Sequence, residues 1–241
     1  MCDTMQAYTK KKAGWRVKYG QVIRARFLAR PNRFIAHAAL ENVETAVCHV
    51  KNTGRCRELL VPGAAVYLER AANPGRKTAY DLIAVEKGTR LINMDAQAPN
   101  RVFGEWARTF EPSAETVKPE FPFGQSRLDF CLTRPDGLHL VEVKGVTLEQ
   151  DGIALFPDAP TLRGVKHLQE LTACQQAEIP AYLLLVIQMK EIRAFRPNDA
   201  MHPQFGEALR RAAAAGVTLL ARDCIVTPDS ITIDAPVPIQ L

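Results

Sequence analysis

The chain has 241 residues, 47% of them hydrophobic and 24% charged, with a formal net charge of +5. This composition excludes a disordered chain, and the length suits one large domain or two small ones whose cores need no covalent staples. No apolar run approaches the ~20 residues that span a bilayer, and no apolar stretch follows the basic N-terminal residues as it would in a signal peptide. The expectation is a cytoplasmic protein with no membrane partner.

The charge is unevenly placed. Residues 1–90 carry +10 and residues 91–241 carry −5. A basic first part concentrates polyanions around itself, and phosphate backbones are the commonest cellular polyanion. The six cysteines (Cys2, Cys48, Cys56, Cys131, Cys174, Cys224) show no C-x-x-C spacing. They read as reduced thiols filling the core rather than as zinc ligands or a disulfide framework.

Residues 1–14 lack periodicity and read as a loose start. Residues 15–95 hold short strands at 22–28, 34–40, 45–50, 65–69 and 80–85, separated by Arg30-Pro-Asn-Arg33, Asn52-Thr-Gly54, Pro62-Gly63 and Asn73-Pro-Gly75. Short strands with a basic surface suit a small closed barrel of the OB type. Tyr67 and Tyr80 are candidate platforms for stacked bases.

From residue 96 to 241 the pattern is α/β. Val102, Phe103, Trp106 and Phe110 follow Pro99-Asn100 at helical spacing. Two strands, a Pro-rich loop, a helix from Thr161, a buried strand at 182–187, a helix at 203–214 and a strand from Val217 complete the part. The successive apolar residues of 182–187 predict helices on both faces of a sheet.

The two strands form the most informative stretch, Ser126 to Gly145. Arg134-Pro-Asp-Gly137 is a turn signal. A turn centred on Pro135 and Asp136 places Asp129 opposite Glu142 and Arg127 opposite Lys144. Asp129, Glu142 and Lys144 then share one face, and Leu128, Phe130, Leu132, Val141 and Val143 form a core layer on the other. Opposed carboxylates repel unless a cation or proton intervenes. Mg²⁺ or Mn²⁺ fits that need and supports attack on a phosphodiester, with Lys144 orienting the nucleophile or stabilising charge.

Downstream, Thr161 is an N-cap, and Leu162, Val165, Leu168 and Leu171 form the helix's packing side. Arg163, Lys166 and His167 share one face beside the helix N-terminus, a position favourable to phosphate. His167 is alternatively a general acid or base. Asp158 is a turn residue or an additional metal ligand. Glu105 is a metal-associated carboxylate or a plain exposed helical one. Gln188 points into the site from the strand end or simply terminates the strand. Asn52-Thr-Gly-Arg55 makes an anion nest, helped by Arg55 and Arg57, or an ordinary hairpin turn. Phosphate contacts across residues 16–77 draw on Arg30, Arg33, Asn52, Arg55, Arg57, Arg76 and Lys77.

The set Asp129 with Glu142-Val143-Lys144 resembles the PD-(D/E)XK nuclease superfamily, some of whose members place a metal-associated Glu on a preceding helix, as Glu105 is placed here. The whole chain from about Val22 to Leu220 resembles the sugar fermentation stimulation protein family (SfsA). Seven ordered segments carry that resemblance, at 27–34, 52–55, 73–77, 99–101, 126–130, 141–148 and 156–168. The resemblance implies an N-terminal OB-like domain, a C-terminal nuclease-like domain, DNA binding and a link to the regulation of sugar use. It also implies Asp129, Glu142 and Lys144 as the nuclease-like triad, with Arg163, Lys166 and His167 as a second motif. Lys51 stands where the family often has Pro, and Leu128 where Phe is common. Three functions follow as expectations: a Mg²⁺- or Mn²⁺-dependent nuclease on duplex, single-stranded or structured DNA; a DNA-binding regulator of sugar metabolism genes without turnover; and, less favoured, an RNA-binding or RNA-processing protein. A homo-oligomer stays open.

Overall fold

The computed structural model describes residues 17–241 except 43, 53, 74 and 125; the expected loose start at 1–14 lies outside the described residues. The first five strands are β1 (Val22–Asn32), β2 (Ile35–Ala39), β3 (Thr45–Val50), β4 (Ala65–Arg70) and β5 (Tyr80–Lys87). Antiparallel pairings join β2 to β1, β1 to β4, β4 to β5 and β2 to β3, and a parallel pairing of β3 with β5 closes the ring. This is the five-stranded closed barrel that the strand spacing predicted.

Period-2 alternation builds its interior. Ala25 and Phe27, Ala36 and Ala38, Cys48 and Val50, Val66 and Leu68, and Leu82 point inward and are buried. Small residues such as Ala36 and Ala38 suit the tight interior of a small barrel. The β1–β2 turn falls two residues later than the expected Arg30–Arg33 segment, at Arg33-Phe34, because the Asn32 side chain accepts from the backbone N–H of Phe34 and Ile35. A further strand, β6 (Arg90–Asn93), pairs with β5 and leads out of the barrel.

The second part begins with α1 (Ala98–Phe110), followed by β7 (Thr116–Phe123), β8 (Ser126–Arg134) and β9 (Gly137–Val146). Then come β10 (Leu148–Gln150), β11 (Ile153–Phe156), α2 (Leu162–Gln176), β12 (Ala181–Ile187), β13 (Ala194–Pro197), α3 (Pro203–Ala214), β14 (Thr218–Thr227) and β15 (Ser230–Pro236). One six-stranded sheet runs β15-β14-β12-β9-β8-β7, with parallel β9, β12 and β14 at its centre. Strand β12 is covered on both faces. Leu184 and Val186 pack with Val102 and Phe103 of α1, whereas Leu183, Leu185 and Ile187 join Leu168 and Leu171 of α2 and Phe205 and Leu209 of α3. Strands β10, β11 and β13 form a small second sheet.

Strand β7, which the sequence pattern did not announce, contains Pro119 and Pro122. Proline removes a ladder donor and is tolerated at an edge, which is where β7 lies. The five described cysteines are unpaired and buried, and burial raises the thiols of Cys48 and Cys56 to about 12. No described helix is long and apolar enough to cross a membrane.

Candidate active site

The β8–β9 hairpin has the expected register: Phe130 pairs with Val141, Leu132 with His139 and Arg134 with Gly137. Gly137 takes φ +128°, a conformation that L side chains rarely adopt. The backbone pairing ends at Phe130↔Val141. At the next position the Asp129 side chain takes over, and its Oδ2 accepts from the Val143 N–H at 2.8 Å.

Two expectations fail beyond that point. Arg127 does not face Lys144; it pairs with Pro122 of β7 and forms an exposed ion pair with Glu120. Leu128 leaves the layer of Phe130 and Leu132 and joins the cluster containing Cys131 and Leu140. The backbone reason is local: Glu120, which falls opposite Asp129, has φ +52°, and the β7–β8 pairing is interrupted there.

Asp129 Oδ1 accepts from Asn100 Nδ2 of α1 at 2.8 Å. Glu142 is 1% exposed. Its Oε1 accepts from Lys144 Nζ and from His167 Nδ1 of α2, while its Oε2 is buried with no hydrogen-bond partner among the described residues. Burial, then the charge of Glu142, raises the Asp129 carboxyl above its ordinary value, against the bonds from Val143 and Asn100 and the charge of Lys144. Burial also pushes Glu142 upward, but His167 and Lys144 outweigh it and hold Glu142 below its ordinary value.

Thr161 caps α2 as expected, accepting from the Gly164 N–H at 3.0 Å. The basic triad of α2 divides. His167 is buried and turned onto Glu142, and its Nε2 accepts from Arg163 Nε at 3.3 Å. Arg is always a donor, so the ring proton sits on Nδ1 and points at Glu142. This makes His167 an orienting residue for Glu142, not a surface phosphate contact. Lys166 is exposed and lies 3.7 Å from Glu170. Leu162, expected on the packing side, is 80% exposed.

Several candidates serve other ends. Glu105 is exposed and its Oε1 accepts from the Val17 N–H; the side chain that α1 presents to Asp129 is Asn100. Among the described residues no group of three His, Cys, Asp or Glu side chains is arranged to hold a metal, so Asp129, Glu142 and Glu105 do not form a three-carboxylate set. Asp158 Oδ2 accepts from the Arg55 N–H, and Asn52 Oδ1 from the Gly54 N–H. Those amides are therefore already engaged and do not form an anion nest. Arg30 donates to the carbonyls of Arg33, Asn52, Gly54 and Arg55; it organises the loops rather than offering its charge to phosphate. Arg76 makes a bidentate pair with Asp81. Arg33 sits over the Phe34 ring, 5.0 Å from its centre, and Arg33, Arg55, Arg57 and Lys77 are exposed. The Tyr67 hydroxyl donates to Glu86 at 2.7 Å, and Tyr80 is half-buried against the barrel core.

Gln188 is buried at the end of β12. Its Nε2 donates to Asn93 O, Asn93 Oδ1 and Asp95 O, fastening the sheet to the segment that leaves the barrel. Its side chain also lines a groove beside Gly145, Asn52 and Asp158.

An OB barrel joined to an α/β domain with a buried carboxylate–lysine–histidine cluster at a strand end defines a two-domain protein of recognisable class. The chain matches the family described as "Sugar fermentation stimulation protein RE domain" over residues 97–230 and the "SfsA N-terminal OB domain" over residues 28–94. It is 53% identical over 216 residues to a sugar fermentation stimulation protein homolog of Desulfitobacterium hafniense (strain Y51), covering 89% of this chain and 94% of that one. A homolog from Ruminiclostridium cellulolyticum is 47% identical over 227 residues, covering 93% and 100%. The chain belongs to the sugar fermentation stimulation protein family. The solved structure of Pyrococcus furiosus SfsA in complex with Ca²⁺ shares the fold, with TM-score 0.83 and 24% identity over 94% of this chain and 99% of that one.

Proposed function

We propose that this protein binds DNA and hydrolyses its phosphodiester bonds at Asp129, Glu142 and Lys144 with the help of Mg²⁺ or Mn²⁺. The observation that carries the reading is the Glu142 Oε2 atom, buried without a partner among the described residues beside an Asp129 carboxyl that burial and the Glu142 charge hold above its ordinary value. A buried acceptor with no donor is costly, and two neighbouring carboxylates short of positive charge fit a hard divalent cation that keeps part of its water shell. The Pyrococcus furiosus protein was solved as a complex with Ca²⁺, a cation of the same hard, oxygen-seeking kind.

Asp129 and Glu142 would hold the metal, which when bound supplies Lewis-acid stabilisation of charge on the phosphate. The chain's own residues do the rest. Asn100 and the Val143 N–H fix the Asp129 carboxylate from two sides. His167, held in turn by Arg163, fixes Glu142 Oε1 and leaves Oε2 free to ligate. Lys144 places a positive charge beside the carboxylates, where it stabilises negative charge as it develops on a scissile phosphate. Exposed Arg33, Arg55, Arg57, Lys77, Arg163 and Lys166 provide the sequence-independent attraction to the backbone.

The test is cleavage of duplex, single-stranded and branched DNA in Mg²⁺ or Mn²⁺, beside Glu142→Ala and Lys144→Ala. The expected result is metal-dependent cleavage, lowered about a hundredfold or more in each variant. DNA binding without cleavage of any substrate would overturn the hydrolytic part.

A further inference from the structure

The groove lined by Gln188 lies between the two domains and has a volume of about 360 Å³, at the low end of the ~300–1,000 Å³ typical of small-ligand clefts. Gly145, the residue after Lys144, lines it together with Asn52 and Gly54 of the barrel and Thr161 at the start of α2. It is thus next to the carboxylate cluster and too small for a base pair with both backbones.

The chemistry of the lining is selective. No Lys or Arg contributes to it, although the barrel is basic. Leu148, Leu155, Phe156, Pro157 and Pro160 give it apolar walls. What suits such walls is a flat, uncharged ring rather than a phosphate. Asn52, Thr147, Asp158 and Thr161 add polar groups to the lining, and the most deeply buried of its polar residues is Gln188, 1% exposed. The three groups around its Nε2 are all acceptors, so the amide cannot be reversed. Asn93 is fixed in the same way: its Nδ2 donates to Tyr19 OH, which donates to Asp95 Oδ2, and its Oδ1 accepts from the Asp95 N–H. Gln188 Oε1 is therefore held over Gly145, where it makes no hydrogen bond to a described residue; a Cβ at Gly145 would lie 2.5 Å from it. A rigid acceptor in a slot of mixed apolar and polar lining, with no cation among its described residues, is the complement of a nucleobase N–H.

We propose that this groove takes one unpaired nucleobase, whose N–H is accepted by Gln188 Oε1, and that the substrate is single-stranded or locally unpaired nucleic acid. The proposal rests on the nucleic-acid reading above. It sets the base in a groove lined by Gly145, next in the chain to Lys144, where it would be read on its Watson–Crick edge as unpaired bases are elsewhere.

Thymine offers a direct probe, because its single N–H, at N3, is removed by methylation while the ring stays. The experiment is fluorescence anisotropy with single-stranded oligothymidylate of about twelve nucleotides, with its duplex, and with a set of strands carrying one N3-methylthymine or one abasic residue at successive positions. Ca²⁺ replaces Mg²⁺ throughout. The expected result is tighter binding of the single strand than of the duplex, and one position at which N3-methylation weakens binding about tenfold and base removal weakens it at least as much. Gly145→Ala, whose methyl would meet Gln188 Oε1 and, at 2.7 Å, Pro99 Cγ, should abolish the discrimination at that position; the series on the unaltered protein decides the matter if the variant does not fold. Uniform affinity across all positions, with salt-sensitive binding retained, would overturn the groove and leave the DNA reading standing. Failure of every strand to bind would overturn both.

Discussion

Two of the lysine–carboxylate clusters in this molecule, those of Lys51 and Lys144, differ in completeness. At the junction of barrel and sheet, Lys51 lies 3.3 Å from Asp95, 3.6 Å from Glu69 and 3.7 Å from Asp81. Every carboxylate there has further partners: Tyr19 for Asp95, the Gly20 N–H for Glu69, and Arg76 and His49 for Asp81. Burial pushes Asp81 upward, yet Arg76 and Lys51 outweigh it and leave Asp81 below its ordinary value. At the end of β9 the same residue types are arranged around Lys144, but Glu142 Oε2 is left without a donor and Asp129 is raised. The first cluster has used its valences to tie the barrel to the segment that leaves it, and the second has kept one. Residue types alone do not separate the two clusters; on the proposed function, the unused Glu142 acceptor beside a second carboxylate does.

The sharpest way to break this comparison is to remove one member of each cluster. Lys51→Met strips the cation from Asp95, which is fully buried, and should cost about 3–5 kcal/mol of stability in urea unfolding, with Mn²⁺ affinity unchanged. Asp129→Asn should do the opposite. It removes a charge that the fold disfavours, the Asn100 amide can rotate to restore the bond, and stability should change by no more than about 1 kcal/mol. Mn²⁺ binding measured by calorimetry should be lost. A large stability loss in Asp129→Asn, or retained metal binding, would erase the distinction between the clusters.

Proton linkage sharpens it further. Asp129 is raised, so its ionisation costs the metal-free fold stability above its folded pKa, and that cost disappears as pH falls below the unfolded value of about 3.9. Glu142 is lowered; its contribution is present above the unfolded value of about 4.3 and is lost as pH falls through the folded one. Because the proposed metal site needs both carboxylates ionised, Mn²⁺ affinity should begin to fall at a pH set by Asp129, higher than an ordinary Asp would give. At a concentration of a hundred times Kd, Mn²⁺ should add about 2.7 kcal/mol at neutral pH, and markedly less as Asp129 protonates. A metal-induced rise in Tm that is flat with pH down to about 4 would count against Asp129 as a ligand.

Much of this was legible before the structure. Pro135-Asp136 fixed the hairpin register, and alternation placed the barrel strands within a few residues. What the sequence did not reveal was long-range or mutual. Asn100 meets Asp129 through α1 packing, with no local pattern to announce it. The two prolines hid β7 because a central strand excludes them and an edge strand does not. Arg30 and Arg76 looked like phosphate contacts because a residue count records charge and not its destination. His167 looked like part of a surface triad at helical spacing, but spacing fixes a face and not what lies against it.

That last point gives the smallest expected effects. Arg55, Arg57 and Lys77 are exposed, and no ion pair to a described residue holds them. If each meets one phosphate, Arg55→Ala, Arg57→Ala or Lys77→Ala should reduce the steepness of log Kd against log salt by about 0.7–0.9, with unchanged unfolding midpoints. Arg30→Ala should show the reverse pattern. Its four backbone bonds hold the Arg33 turn to the 52–55 loop, so its loss should lower stability and weaken binding indirectly, without the characteristic change in salt slope. Equal slopes in all four variants would mean that the basic surface of the barrel is not where the strand lies, and would move the backbone contacts to Arg163 and Lys166 on α2.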